Sequence, residues 1–327
     1  MIDLRLIPEK VQNMDTTKNK FSKWLNLNSY KLKNKLLLLI LSLFILTLLL
    51  IILPCFLILH HSIVNNNYDR LNELSNLKSK EIESKISGYE TELLNIGNSE
   101  NFINALAEFK KSFKLIKDEK SELFYTDSLK RIETQLGNYY KDNLSINSPI
   151  TGKYLINYLP EKDLTLVYQY LYISKNPYSL ERKHEYITSP DHSTYSSAHS
   201  LYHPFLMDIL RKMGASDLYL IDPISGDVIY SSAKNIDFAS NLYDGKFRKS
   251  PLSEAFRVAI ATTKPLAHYV DFENYIPALD RPCAFISMPV FLNSEISGVI
   301  ILQFNSKLFD RVLFDSYMLS NDASIDY

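Results

Sequence analysis

The longest apolar stretch of the chain is an uncharged run of 24 residues from Leu36 to Leu59. As an α-helix rising about 1.5 Å per residue, it reaches roughly 36 Å, enough to cross a hydrocarbon layer of about 30 Å. A cleaved signal peptide would have an apolar core of about 7–15 residues behind a short leader, whereas 35 residues precede this run. The pattern therefore predicts a retained, single-pass transmembrane helix over residues 36–59.

Charges on either side of the apolar run predict its orientation. Six lysines lie within about 20 residues before it, but only Arg70 and Lys78 lie within a similar distance after it. Because positive residues collect on the cytoplasmic side, we expect a cytoplasmic N-terminus and a periplasmic C-terminal domain at the inner membrane of a bacterial cell. The stretch from Phe21 to Lys35 is basic and amphipathic, and it either lies on the membrane surface or forms a disordered tail. The six lysines are Lys18, Lys20, Lys23, Lys31, Lys33 and Lys35.

Three later stretches repeat apolar residues at intervals of three and four, which is typical of amphipathic helices. Their stripes are Ile82, Ile86, Tyr89, Leu93 and Ile96, then Phe102, Leu106, Phe109, Phe113 and Ile116, then Leu129, Ile132, Leu136 and Tyr139. The first stripe suits either a second copy of the same helix, which predicts a homodimer, or packing on the other two helices. A polar connection is expected over residues 142–152.

The pattern changes from helices to strands after Gly214, which is expected to end a helix. Residues 218–222 and 228–232 flank a turn that contains Gly226, and they predict a hairpin. Ser250 and Pro251 predict the start of another helix, and three more strands follow over residues 267–275, 283–291 and 297–304, with a turn at residues 293–297. This order predicts an α+β fold with a five-stranded antiparallel sheet and helices on one face.

Composition excludes several classes of function. The 327 residues carry a net charge of −1, which argues against a nucleic-acid-binding protein. Two cysteines, Cys55 and Cys283, are too few for a disulfide framework or a cysteine-based zinc site. There are 8 glycines, and the sequence contains no phosphate-binding loop, dinucleotide fingerprint or nucleophile elbow. We therefore expect no cofactor and no enzymatic activity.

Four long strings resemble the extracytoplasmic sensor regions of bacterial transmembrane receptors. They occupy residues 166–187, 193–210, 218–242 and 270–291. The receptors in question are methyl-accepting chemotaxis receptors and class III adenylate or guanylate cyclases, whose sensor regions have the PAS-like fold called Cache. The resemblance covers roughly residues 150–312, about half of the chain. It implies a sensor architecture and does not identify a ligand.

The sequence departs from those receptors after its last predicted strand, near Phe304. A short amphipathic stretch with Leu308, Val312 and Leu313 leads to Tyr327, without a second apolar span, a HAMP linker or an output domain. Either a separate output protein carries the signal, or the chain is a truncated receptor remnant or a membrane-tethered scaffold without a ligand. The predicted divisions are a basic cytoplasmic tail (1–35), a transmembrane helix (36–59), an extracytoplasmic helical region (62–150), a sensor module (151–312) and a C-terminal tail (313–327).

Histidines are concentrated between residues 184 and 203. His199 and His203 are four residues apart, so they could share one helix face and a zinc ion, with His192 or Asp191 as a third ligand. Pro204 disturbs that geometry, and the alternative is that the histidines bond the irregular segment to the sheet. We predict no metal site. The four histidines are His184, His192, His199 and His203.

Asp271 is the candidate anchor for a small ligand. In the VDFENY segment, Asp271 is the carboxylate that has apolar strand residues on both sides. Because side chains alternate between the two faces of a strand, Asp271 shares a face with Tyr269 and Glu273. A carboxylate buried there would bind a cationic group such as an amine; the alternative is an aspartate that closes a turn or pairs with Arg281. The other residues assigned to this site are Tyr230, Tyr275 and Ser287. The sequence thus predicts a sensor domain that binds a small ligand and signals through a partner.

Overall fold

The computed structural model describes residues 31–144 and 155–306 and divides the chain into two compact units, Met1–Leu77 and Lys78–Tyr327. Helix α1 runs from Leu32 to Gly97. Its apolar first part is long enough to cross a membrane, and none of the residues in this apolar stretch is buried against the rest of the protein. The predicted apolar helix is therefore confirmed as a helix. The basic tail before residue 31 lies outside the described residues.

The end of α1 belongs to the core of the second unit. Leu93 and Ile96 are buried, and the ring of Tyr89 lies 4.9 Å from that of Phe304. The stripe from Ile82 to Ile96 therefore packs on the sheet of its own chain. The sequence had suggested two other partners, a second copy of the helix or the other two helices. Pairing of this stripe with a second copy stays a prediction.

Over residues 98–144 and 155–306, five further α-helices and several short helical turns follow. Serine side chains cap the starts of α2, α5 and α6, where Ser99, Ser193 and Ser250 accept a backbone N–H three residues ahead. Helix α5 ends at Gly214 with φ of 64°, a left-handed conformation that favours glycine. The α-helices are α2 (Glu100–Glu119), α3 (Thr126–Tyr139), α4 (Asp163–Gln169), α5 (Thr194–Met213) and α6 (Pro251–Ile260). The short turns are Ser121–Phe124, Tyr140–Leu144, Leu155–Tyr158, Tyr170–Ser174, Leu180–Glu185 and Ile276–Ala278.

The predicted five-stranded antiparallel sheet and the α+β class are confirmed. The strand order is β2-β1-β5-β4-β3, and every neighbouring pair is antiparallel. The turn between β4 and β5 consists of Asn293 and Ser294, both with positive φ, as in the two-residue turns that match strand twist. It is shorter than the predicted turn. The strands are β1 (Asp217–Ile221), β2 (Val228–Ser231), β3 (His268–Tyr275), β4 (Arg281–Leu292) and β5 (Glu295–Asn305).

Helices cover both faces of the sheet, so the prediction of helices on one face is wrong. On one face, Gly298 of β5 lies against Leu106 of α2. On the other, the Ser287 hydroxyl donates to the backbone oxygen of Ala255 in α6 at 2.8 Å. The reason is physical: β4 and β5 are buried on both sides along most of their length, and a sheet buried on both faces needs two covering layers.

Some sequence predictions fall on residues outside the described part. The predicted polar connection begins in a helical turn at Tyr140–Leu144, but residues 145–154 are outside. The amphipathic stretch with Leu308, Val312 and Leu313 is also outside. Within the described residues, one hydrophobic core joins the end of α1, the later helices and the sheet.

Candidate functional site

One face of the sheet carries polar residues at its centre. Cross-strand register aligns Asp217 of β1 with Gln303 of β5, and it aligns Tyr219 with Ile301, two residues along. Because side chains alternate between faces, these groups share the face that α6 and the segment between β2 and α6 cover. Six buried residues meet here, and we name them the Asp237 cluster: Asp217, Tyr219, Asp237, Tyr275, Cys283 and Gln303.

Asp217 fastens the start of β1 to the end of β2. Its Oδ1 accepts hydrogen bonds from the Ser232 hydroxyl at 2.7 Å and from the backbone N–H groups of Leu218 and Ala233 at 2.7 and 2.9 Å. Its Oδ2 accepts from the Ser231 hydroxyl at 2.9 Å. Burial raises the pKa of Asp217, and these hydrogen bonds oppose the rise. With both oxygens occupied, Asp217 serves the structure of the site.

Asp237 is fully buried after β2, and only one of its oxygens is satisfied. Oδ2 accepts a hydrogen bond from the Tyr275 hydroxyl at 2.5 Å and lies 2.9 Å from the Tyr219 hydroxyl, whereas Oδ1 has no hydrogen-bond partner. Burial, and secondly the neighbouring Asp217, raise the pKa of Asp237 to about 7. Shifted carboxyl groups of this kind occur both in functional sites and in buried structural networks.

Two buried lysines border the cluster. The Lys183 ammonium donates to the backbone oxygen of Lys234 and to Oδ1 of Asn235, both at 2.9 Å. Lys234 Nζ lies 3.4 Å from the backbone oxygen of Ser232. Burial lowers the pKa of Lys183 to about 8 and that of Lys234 to about 7, against the attraction of the buried aspartates. Their positive charges offset the negative charge that the two aspartates bring into the core.

An open cavity of about 730 Å³ adjoins the Asp237 cluster. Cys283 and Gln303 form part of its wall. Gln303 also joins the cluster, because its Oε1 lies 2.7 Å from the Tyr219 hydroxyl and its Nε2 donates to Cys283 Sγ at 3.3 Å. The cavity wall is therefore in direct hydrogen-bond contact with a residue that touches Asp237.

The rim of the cavity carries charges of both signs. Glu181 and Arg281 are exposed residues that line it, together with Asn235. A smaller cavity of about 60 Å³ shares Asn235 with it and is also lined by Lys183. Together these groups could hydrogen-bond a small polar molecule that carries positive and negative groups.

The structure separates the four residues that the sequence assigned to one binding site. Tyr275 belongs to the Asp237 cluster. Ser287 lies on the same face but bonds α6. Tyr230 pairs with Leu220, the neighbour of Tyr219, so its side chain lies on the opposite face of the sheet. There its hydroxyl lies 2.7 Å from Nδ1 of His203. Their role in ligand binding stays a prediction, and the structure does not bring them together.

The expectation that Asp271 is buried is wrong. A bulge in the edge strand β3 places an additional residue between Val270 and Glu273, so regular alternation fails there. Asp271 is exposed, and one of its oxygens accepts from the backbone N–H of Phe272 at 2.7 Å. The burial that made Asp271 a candidate anchor is therefore absent.

His199 and His203 meet on one face of α5, with ring centroids 4.5 Å apart. His203 Nε2 donates to the backbone oxygen of His184 at 2.7 Å, and His199 Nδ1 donates to that of Ile187. Burial lowers the pKa of both imidazoles, that of His203 to about 2, so both are neutral. No group of three potential metal ligands occurs among the described residues. The pair thus bonds the irregular segment to α5.

Sequence reasoning missed most of the Asp237 cluster. One signal was available, because Gln303 interrupts the apolar run of β5 and a polar residue there must find a partner. Asp237 and Lys234 lie in a connecting segment, where hydrophobic periodicity says nothing about burial.

The sequence matches no family model and no curated protein. Among solved structures, the chain is similar to the sensor domain of the histidine kinase DctB from V. cholerae, with 17% sequence identity and a TM-score of 0.27. The similarity covers 57% of this chain and 60% of that chain, so the chain matches less than two thirds of the DctB sensor domain.

Proposed function

We propose that the chain is a membrane-anchored sensor domain that binds a small polar ligand and signals through a partner protein. Three observations support the proposal: an apolar helix of membrane-spanning length, an α+β unit with a five-stranded antiparallel sheet, and the sequence strings that resemble receptor sensor regions. Binding without catalysis and without a cofactor is part of the proposal.

The observation that carries the proposal is the cavity beside the Asp237 cluster. Ligand sites are concave and combine apolar walls with a few convergent polar groups. A buried carboxyl group with an unsatisfied oxygen costs folding free energy. Its connection to the cavity wall through Tyr219 and Gln303 therefore needs a reason beyond packing. Glu181 and Arg281 at the rim favour a small zwitterionic ligand, such as an amino acid, over a purely apolar one.

Orientation in the membrane is the second part of the proposal. The six lysines before the apolar run support a cytoplasmic N-terminus and a periplasmic sensor domain. A periplasmic reporter enzyme fused after Tyr327 should be active, and a reporter that works only in the cytoplasm should be silent there. The opposite pair of results would reject this orientation.

Thermal unfolding of the full chain in detergent micelles tests ligand binding. A panel of amino acids and amines is screened, and a ligand present at about 100 times its Kd should stabilise the fold by about 2.7 kcal/mol. The variants Glu181→Gln and Arg281→Gln should lose that stabilisation. Arg211→Gln is the matched control, because Arg211 is an exposed arginine on α5 that pairs with Asp208.

The outcomes of this screen separate the competing functions. Stabilisation that both rim variants lose and the control keeps would support the sensor. If no compound stabilises the chain, the membrane-tethered scaffold becomes the better interpretation. If stabilisation survives both rim substitutions but is lost in Asp271→Asn, binding occurs at the exposed edge strand and not in the cavity.

A further inference from the structure

The hydrogen-bond chain from Asp237 to the cavity wall has two possible proton arrangements. The Tyr219 hydroxyl has one proton, yet among its neighbours are two acceptor oxygens on the path to the cavity, Oδ2 of Asp237 at 2.9 Å and Oε1 of Gln303 at 2.7 Å; it also contacts Asp217 and Tyr275. It can donate to only one of these two oxygens. At the other oxygen, the proton of the hydrogen bond must come from a different group. The donor-to-acceptor direction of these hydrogen bonds therefore depends on whether Asp237 is protonated.

With Asp237 neutral, each link of the chain joins one donor to one acceptor. The carboxylic acid donates from Oδ2 to the Tyr219 oxygen, Tyr219 donates to Gln303 Oε1, and Gln303 Nε2 donates to Cys283 Sγ, as it does in the structure. The unpartnered Oδ1 of Asp237 is then a carbonyl oxygen, which is less costly to bury than half of a carboxylate.

With Asp237 ionised, the chain has to reverse. Tyr219 then donates to the carboxylate, which leaves Gln303 Oε1 facing an oxygen without a proton between them. A turn of the Gln303 amide by 180° removes this conflict, because it exchanges donor and acceptor without moving the surrounding atoms. Nε2 then donates to Tyr219, and the Cys283 thiol donates its proton to Oε1. Burial raises the pKa of Cys283 to about 12, so the thiol keeps that proton.

We propose that proton exchange at Asp237 turns over the Gln303 amide at the cavity wall and thereby makes the domain responsive to pH as well as to a ligand. Gln303 would present its two amide atoms to the cavity in opposite orientations in the two states. The hydrogen bond from Gln303 Nε2 to Cys283 Sγ belongs to the arrangement with Asp237 neutral. This inference rests on the proposed function only where it assigns the cavity to a ligand; the proton relay itself needs no ligand.

The groups that face Asp237 come from several elements. Asp217 opposes its ionisation, and the ammonium of Lys183 favours it. Arg281 acts on Cys283, and Lys234 acts on Asp217. The titratable and charged groups around the relay are Tyr140, Lys183, Asp217, Tyr219, Lys234, Tyr275, Arg281 and Cys283.

Infrared spectroscopy of the S–H stretch tests the relay directly. The full chain is prepared in micelles with Cys55→Ser, so that Cys283 is the remaining thiol, and spectra are recorded from acidic to alkaline pH without a ligand. As the pH rises through neutrality, the S–H band should move to lower frequency, because the thiol becomes a hydrogen-bond donor. Asp237→Asn should abolish the shift, since asparagine keeps a donor towards Tyr219. Asp271→Asn, at an exposed aspartate, should retain it.

A second variant keeps the test decisive if Asp237→Asn does not fold. Gln303→Met removes the relay but leaves Asp237 in place, so the carbonyl band of its protonated acid should still disappear with rising pH while the S–H band stays constant. An S–H band that is constant with pH in the parent protein, or one that still shifts in Gln303→Met, would overturn the proposal. Because no ligand is present, a failed relay and a failed ligand screen are separate results.

Discussion

The two faces of the sheet solve the problem of burial in different ways. The face towards α2 and α5 is filled with rings that pack edge-on and stacked: Phe109, Phe113, Tyr168, Tyr195, His199 and Tyr230. The opposite face carries the Asp237 cluster, and an open cavity adjoins it. The polar face keeps Oδ1 of the Asp237 carboxyl group buried without a hydrogen-bond partner, whereas the one such atom among these rings of the aromatic face is Nε2 of the neutral His199.

This difference separates stability from function within one sheet. Aromatic packing gains free energy from buried area and ring contacts. Buried polar groups gain little net stability even when fully satisfied, and they cost free energy when they are not. The aromatic face should therefore carry most of the stability, and the polar face should carry the response to ligand and pH. Substitutions at five positions test that division.

The largest expected effect is on the aromatic face, at Phe109. Its ring is fully buried, with the ring of Tyr230 4.9 Å away and that of Tyr195 at 5.6 Å. Phe109→Ala should lower the free energy of unfolding by about 3–5 kcal/mol through the lost burial and the cavity left behind. Urea unfolding of the full chain in micelles, followed by circular dichroism, measures it. Leu201→Ala is the control, because Leu201 is 68% exposed on α5; a loss at Phe109 no larger than at Leu201 would contradict the division.

A smaller loss is expected at Asp217 on the polar face. Removal of its carboxylate in Asp217→Ala leaves the hydroxyls of Ser231 and Ser232 and a backbone N–H without acceptors inside the core. Unsatisfied buried donors cost about 1–3 kcal/mol, so the free energy of unfolding should fall by about 2–3 kcal/mol. Urea unfolding, as for Phe109, measures it. Asp217→Asn keeps one acceptor oxygen and should lose less. Equal losses in the two variants would show that packing, and not hydrogen bonding, sets the cost.

Local patterns along the chain predicted the elements but not their assembly. The stripe of α2, the cap at Ser250 with Pro251, and the β1–β2 hairpin depend on neighbours within a few residues, and the structure contains all three. Which face each helix covers depends on the whole core, so the expectation of one covered face failed. The Asp237 cluster was missed for the same reason, because the hydroxyls that surround Asp237 come from β1 and β3, which lie far from it in sequence.

The pH dependence of stability tests the polar face more finely. Burial raises the pKa of Asp237 from an ordinary value of 3.8 to about 7, so the folded state holds a proton between these values that the unfolded state has lost. Stability should therefore fall as the pH rises from about 4 to 7, by at most about 1.4 kcal/mol per pH unit. Asp237→Asn should remove this slope. Unfolding free energies at several pH values measure it, and a slope unchanged in the variant would contradict the assignment.

The buried lysines should give the opposite slope at higher pH. Burial lowers the pKa of Lys183 to about 8 and that of Lys234 to about 7, both from 10.5, so between neutral and alkaline pH the unfolded state binds more protons than the folded state. Stability should therefore rise with pH above about 7. In Lys183→Met, the part of this rise that begins near pH 8 should be lost. Stability that keeps falling above pH 8 in the parent protein would show that both lysines stay charged.

The smallest effect is expected at Asp271, which shares its residue type with Asp237 and differs in its surroundings. Had it been half of a buried ion pair with Arg281, Asp271→Asn would cost roughly 3–5 kcal/mol. The bulge in β3 instead leaves the side chain exposed, with its hydrogen bond confined to the adjacent Phe272 N–H. Exposed substitutions usually change stability by less than about 0.5 kcal/mol, and the pH slope due to Asp237 should persist. A loss at Asp271 comparable to that at Asp217 would mean that the edge strand, and not the polar face, holds the critical carboxylate.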